Sequence, residues 1–345
     1  MKACVYEGNP EVRLRELPTP ELKDIVASKK YGDEKLLLNK KDLVLLKVEV
    51  ASICGTDLHI LMKEHGSSPP VILGHEYIGR VIDTGEDVAH IKKDDCVAVD
   101  PNIKCGYCDY CRKGLFNMCV NLTTLGIFVD GGFAEFNLAP AKQLYRLPSD
   151  LPVERAVLFE AVSCVMHGLT KVKPMAGENV LVFGAGPIGC YFTALCKLNG
   201  ALNVTVVEPH SFRANFVKSL GARPVSNILD LKKEQFNIVV DASGDPEIVP
   251  HAFQSARPGG RVLLFGQQNV NAKVSINPTL VNQKELQVYG SYATATSFED
   301  TLRVLTDSRF PCESLITHRV ALDDIVQAFD VMKAGNAIKV LISPS

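Results

Sequence analysis

Val180-Leu181-Val182-Phe183-Gly184-Ala185-Gly186-Pro187-Ile188-Gly189 carries an apolar, β-branched run straight into Gly-x-Gly-x-x-Gly, and Cys190 to Asn199 continues with a helical pattern. Strand, glycine turn and helix in that order form the phosphate-binding start of a dinucleotide-binding βαβ unit. Gly184 permits the tight turn, Gly186 lets the backbone approach a pyrophosphate, and Gly189 lets the helix pack close to its strand. Pro187 and Ile188 open that helix, whose N-terminal amides face the phosphates. The next apolar run ends at Glu208, 24 positions after Gly184, near the ~20 at which an acid takes the adenosine ribose hydroxyls. A carboxylate there repels a 2′-phosphate and favours NAD over NADP. Arg213 follows, with a guanidinium suited to stacking on adenine or reaching toward a phosphate.

Outward from this turn, the apolar runs at 179–184, 203–208, 238–242, 261–265 and 286–289 alternate with helical segments. This predicts an α/β domain with a doubly wound parallel sheet, a Rossmann domain over 159–297. Residues 1–158 read differently, as short β-like runs broken by Gly, Pro and Asp, which predicts an irregular β-rich domain completed by 298–345. Two domains suit a chain of 345 residues, since single cores stop growing near ~250–300. Within the first domain, Glu21 to Asp42 sets six lysines around Leu36-Leu37-Leu38 and reads as a solvated surface insertion. At the far end, Glu285 to Gly290 reads as an edge strand able to pair with its copy across a two-fold axis.

Composition narrows the function classes. Apolar residues make up 46% and charged residues 22% of the chain, enough for packed cores. The net charge of −2 offers no long-range field for nucleic acid or an anionic membrane. No apolar run approaches the ~20 residues of a spanning helix. With eleven cysteines and a start at Met1-Lys2-Ala3-Cys4 that lacks an apolar signal segment, a cytoplasmic protein with reduced thiols is expected.

Four of those cysteines form Cys105-x2-Cys108-x2-Cys111-x7-Cys119, with Gly106 and Gly114 between them. Four thiolates at this density suit a closed tetrahedral zinc site that holds a lobe too small to bury its own core. An iron–sulfur cluster also uses short cysteine spacings and stays open at this point. Elsewhere Cys54-Gly55-Thr56-Asp57-Leu58-His59 and Gly74-His75-Glu76 supply a thiol, an imidazole and a carboxylate. Taken singly, these are ordinary core residues. Together they match the three protein ligands of a catalytic zinc with an open position. A further acid, Glu160, stands where the first domain hands over to the second.

In order and spacing, these motifs resemble the zinc-containing medium-chain dehydrogenase/reductase family over essentially the whole chain. The likeness is greatest to sorbitol and other polyol dehydrogenases and to threonine dehydrogenases. It implies a GroES-like catalytic domain, a catalytic zinc on Cys54, His75 and Glu76, and a structural zinc on Cys105, Cys108, Cys111 and Cys119. Glu160 would be either a direct ligand or the holder of a water at the metal. The implied activity is oxidation of a secondary alcohol, a polyol or sugar alcohol, to a ketone with NAD. Thr56 would take the hydroxyl proton and His59 would pass it onward, a role suited to a side chain with an ordinary pKa near ~6.5. Ile60 and Ala293 depart from the sorbitol dehydrogenase pattern, which usually has an aromatic residue at the first position and an arginine near the substrate at the second. Family members are commonly dimers or tetramers, so the resemblance implies a homodimer or homotetramer. Threonine, glucose or simple alcohol dehydrogenase activity are the alternatives, and a non-enzymatic zinc- and dinucleotide-binding redox sensor is the alternative of a different class.

Overall fold

The computed structural model describes the chain apart from residues 31–34, 232–234, 270, 296 and 345. It divides into two compact units, Met1–Ala161 with Phe298–Thr306 and Cys312–Ser345, and Val162–Ser297 with Asp307–Pro311.

The second unit is built on six parallel strands in the order Arg223–Val225, Asn203–Val207, Asn179–Phe183, Phe236–Asp241, Ala256–Leu264, Gln287–Gly290. Counted along the chain this is 3-2-1-4-5-6, the order in which the connection reverses direction beside the first strand and opens a crevice at the strands' carboxyl ends. Val180, Leu181, Val182 and Phe183 are buried because helices cover both faces. On one side Val249, Ala252 and Phe253 of the helix Ile248–Ser255 pack on Leu181, Phe183 and Val239. The helix Pro187–Leu198 starts directly from the glycine turn, with proline in its first turn where a missing N–H costs nothing.

In the first unit, a seven-stranded sheet runs Leu144–Arg146, Cys96–Val99, Glu76–Thr84, Leu43–Ser52, Lys339–Ser343, Ile316–Ala321, and Phe136–Pro140 also pairs with Leu43–Ser52. The chain's last strand therefore lies beside one of its first. Its register sets Leu341 opposite Ser52, while Ser52 is also opposite Glu76 on the other neighbour.

The lysine-rich stretch read as a solvated insertion holds a pair of strands, one on either side of residues 31–34, which lie outside the described residues. Ile25–Ser28 and Lys35–Leu38 form an antiparallel pair, with Ala27 and Leu38 buried in the first unit's core and Val26 and Leu37 facing out. The Lys30 amide donates to the Leu122 carbonyl at 2.6 Å, and the Thr123 hydroxyl donates to the Ser28 carbonyl, tying the pair down. Among the described residues no helix is long and apolar enough to cross a membrane.

Candidate active site

Cys54, His75 and Glu76 come together with one ligand atom from each within 4.8 Å of the others. Three local features place them. Cys54 is the last residue before the helix Gly55–Leu61, and its amide donates to Oδ2 of Asp57 at 2.9 Å, which closes the first turn and fixes the thiol's direction. Gly74 has φ +92°, and a Cβ there would sit 2.6 Å from the Phe133 ring, so only glycine lets His75 turn inward at this point. Glu76 then begins the strand Glu76–Thr84, pointing into the sheet's buried face.

Asp57 is wholly buried, and its Oδ1 lies 3.4 Å from Nδ1 of His75, an ion-pair distance without hydrogen-bond alignment. With Nδ1 turned to a carboxylate, Nε2 is the nitrogen left for a ligand, the arrangement that orients metal-binding histidines. Burial alone would disfavour the charged imidazole, but Asp57 and Cys54 outweigh it and hold the His75 pKa well above the ordinary value.

Glu76 divides its carboxylate. Oε2 accepts from Lys339 Nζ at 2.6 Å and from the Ser52 hydroxyl, while Oε1 is buried with no hydrogen-bond partner. Burial pushes the Glu76 pKa up, but Lys339, His75 and Ser52 overcome that and leave it lowered. A charged oxygen without a partner in a dry site is costly. A cation at the centre of the three donors satisfies it, and the mixed thiolate, imidazole and carboxylate set fits zinc with a fourth position open. Glu160, buried in the first turn of the helix Phe159–Val172, lies outside this close group. Thr56 Oγ1 is 3.8 Å from the Cys54 sulfur, and His59 Nδ1 is 2.7 Å from Glu64 Oε2.

Cys105, Cys108, Cys111 and Cys119 form a second group with all four sulfurs mutually within 4.8 Å. The Cys105–Cys119 and Cys108–Cys119 sulfurs are 3.5 and 4.0 Å apart. A tetrahedron with ~2.3 Å zinc–sulfur bonds has edges of about 3.8 Å, so the spacing suits one ion. Disulfides are absent, since all four are free thiols. An iron–sulfur cluster, which interposes iron and sulfide between its cysteines, needs wider separation. Burial pushes the Cys111 thiol up to about 12 and raises that of Cys119, whereas at Cys105 burial is outweighed by Asn121 and the amides of Tyr107 and Cys108, which bring the thiol down to about 6, toward the thiolate a metal requires.

In the second unit the three glycines have distinct surroundings. Gly184 has φ +90°, a Cβ on Gly189 would collide with the Gly184 carbonyl, and a Cβ on Gly186 would meet nothing within 4 Å. The middle glycine thus leaves open space beside the start of the helix opened by Pro187 and Ile188, where free backbone amides suit an anion. Glu208 is already engaged. Its Oε2 accepts from the Ala185 amide at 2.8 Å and its Oε1 from the His210 amide at 2.9 Å. Each oxygen keeps a second lone pair. Nε of Arg213 is buried without a hydrogen-bond partner.

Four side chains that contact the motif residues lie beyond what the motifs signal. Asp57 stood inside the Cys54 motif without a role assigned to it. Ser52, Lys339 and Glu64 had no signal, because strand register and a chain reversal bring them in.

Residues 40–149 match the family model for the alcohol dehydrogenase GroES-like domain, and residues 187–307 match that for zinc-binding dehydrogenase. An L-threonine 3-dehydrogenase of Xanthomonas oryzae pv. oryzae is 33% identical over 314 residues, 87% of this chain and 92% of that protein. D-arabinitol dehydrogenase 1 of Uromyces fabae is 32% identical over 317 residues, covering 88% and 90%. A solved protein of Sinorhizobium meliloti, described as a zinc-binding dehydrogenase and bound to NADP, superposes with TM-score 0.89 at 30% identity over 99% of each chain.

Proposed function

Because the chain belongs to the zinc-containing medium-chain alcohol dehydrogenase family and is a dehydrogenase acting on CH–OH groups, we propose that it oxidises a secondary alcohol of a polyol to a ketone with NAD⁺. The observation that carries this reading is the unpartnered Oε1 of Glu76 beside the Cys54 thiol and His75. Those three side chains would hold the catalytic zinc, which when bound makes a hydroxyl a far stronger acid. A nicotinamide dinucleotide, when bound, would supply the hydride acceptor.

The remaining work falls to the chain's own groups. Asp57 orients His75, and Lys339 with Ser52 holds one oxygen of Glu76 so that the other faces the donors. Thr56 Oγ1 takes the hydroxyl proton and His59 passes it to solvent. Glu160, outside the close donor group, is assigned the indirect role through water. Cys105, Cys108, Cys111 and Cys119 hold a structural zinc. Gly184, Gly186 and Gly189 seat the pyrophosphate, and Glu208 adds the ribose contact through its remaining lone pairs. Gln287–Gly290 ends the second unit's sheet, which leaves one side of that strand for a second copy in a homodimer.

L-threonine is the second substrate reading, favoured by the 33% identical threonine dehydrogenase. The test combines metal analysis with absorbance at 340 nm for D-arabinitol and other polyols, L-threonine, glucose and short diols, each with NAD⁺ and NADP⁺. Zinc on both sites and NADH production from polyols are expected. Turnover of L-threonine alone overturns the polyol reading, and full turnover by zinc-free protein overturns the metal assignment.

A further inference from the structure

His59 lies near the end of the helix Gly55–Leu61, and its carboxylate neighbour comes from beyond that helix. Had the helix continued, Glu64 would lie five residues on, about 140° around the axis and facing away. Instead Lys63 takes φ 60°, and the Glu64 and His65 amides both donate to the His59 carbonyl, at 2.8 and 3.2 Å. The chain folds back, and Glu64 Oε2 arrives 2.7 Å from His59 Nδ1. A left-handed lysine and a shared carbonyl make this a built contact.

The contact has a chemical consequence. An ionised carboxylate only accepts hydrogen bonds, so the Nδ1 beside it must carry the hydrogen. In neutral His59 the bare nitrogen is then Nε2. We propose that Glu64 is a positioning residue of the proton path, locking His59 in the tautomer whose Nε2 is ready to accept. His59 gains the proton at Nε2, and the ring, with its side chain 34% exposed, returns it to water. This inference rests on the relay role given to His59 above.

The test separates the two ideas. Nitrogen-15 spectra of uniformly labelled protein without cofactor, at a pH where the ring is neutral, distinguish Nδ1–H from Nε2–H, with H59N identifying the signal. Wild type is expected to show Nδ1–H, and E64A to shift toward the Nε2–H form. Turnover of D-arabinitol or L-threonine, whichever is oxidised, is expected to fall on the order of 10-fold in E64A with cofactor KM unchanged. E64Q, whose amide oxygen still accepts from Nδ1, is expected to keep the wild-type tautomer. In the H59N background E64A should add nothing. An unchanged tautomer in E64A, or an equal slowing of H59N, overturns the proposal. Full activity in H59N would instead remove the relay reading and leave the tautomer result standing.

Discussion

The ammonium of Lys339 lies 2.6 Å from Oε2 of Glu76 although 263 positions separate them, and both side chains are shut off from water. Burying two charges costs more in lost hydration than an apolar pair would, so such a contact is poor evidence of stabilisation for its own sake. Its effect here is to divide the carboxylate, with one oxygen committed to Lys339 and Ser52 and the other free.

Lys339→Met keeps much of the side chain's volume and strands the Glu76 charge. The metal-free protein should lose about 3–5 kcal/mol of unfolding free energy in urea, the usual cost of removing one partner of a buried pair. Zinc should recover part of that loss by taking up the carboxylate. A loss below about 1 kcal/mol, within the range of exposed pairs, would show the contact to be incidental.

Cys54→Ser removes the softest donor from the three. One equivalent of zinc should disappear on metal analysis, and turnover should drop on the order of 10³-fold, equivalent to several kcal/mol of lost transition-state stabilisation. NADH binding, followed by its fluorescence, should persist because the glycine turn belongs to a separate compact unit. Full zinc content with normal turnover would contradict the assignment.

The cysteine lobe presents the opposite case. Its apolar cluster consists of Cys111, Cys119 and Leu122, with Phe116 and the other two cysteines packed against them, too little to hold a segment without metal. Cys105→Ser should therefore make the chain cleavable by protease within 105–119 and lower its melting temperature. A chelator should do the same to the wild type. Protease resistance in the metal-stripped protein would refute a structural role for the ion.

These contrasts explain what was legible in the sequence. Local patterns carried the second unit, because Val180 to Phe183 and Gly184 to Gly189 declare strand and turn within ten residues. The cysteine lobe was equally local. Lys339 and Ser52 were invisible because their meeting depends on the pairing of Leu341 with Ser52 across the whole chain. Glu64 was hidden by a left-handed lysine, a position where glycine would have been the signal. In the insertion, the lysines masked a period of two. Val26 and Leu37 face outward as cross-strand partners, while Ala27 and Leu38 face the core.

Acid should destabilise the protein partly through His65. Burial holds its pKa below the ordinary value, the Gly66 carbonyl opposes that, and Lys30, His75 and His59 add to it. The unfolded chain then binds this proton more readily, so the stability contribution is intact above the unfolded value near ~6.5 and is lost as pH falls toward the folded pKa. Urea unfolding at pH 7.5 and 5.5 should show a smaller loss for His65→Asn than for wild type. An identical loss would remove His65 from the acid response.

Glu208 is proposed to have two tasks, holding the glycine turn and contacting the ribose, and a mutation separates them. Its oxygens already pin the Ala185 and His210 amides, so Glu208→Ala should loosen the glycine turn and weaken NADH and NADPH alike. The ribose contact is an additional loss for NADH only, worth about 10- to 160-fold at ~1.5–3 kcal/mol for bonds to a charged group. Arg213→Ala should act in the reverse direction, costing NADPH more, because a guanidinium with an unpartnered Nε attracts a 2′-phosphate. Dissociation constants for both nucleotides decide the matter. Equal losses in Glu208→Ala would confine that carboxylate to holding the turn, and the preference would then rest with Arg213.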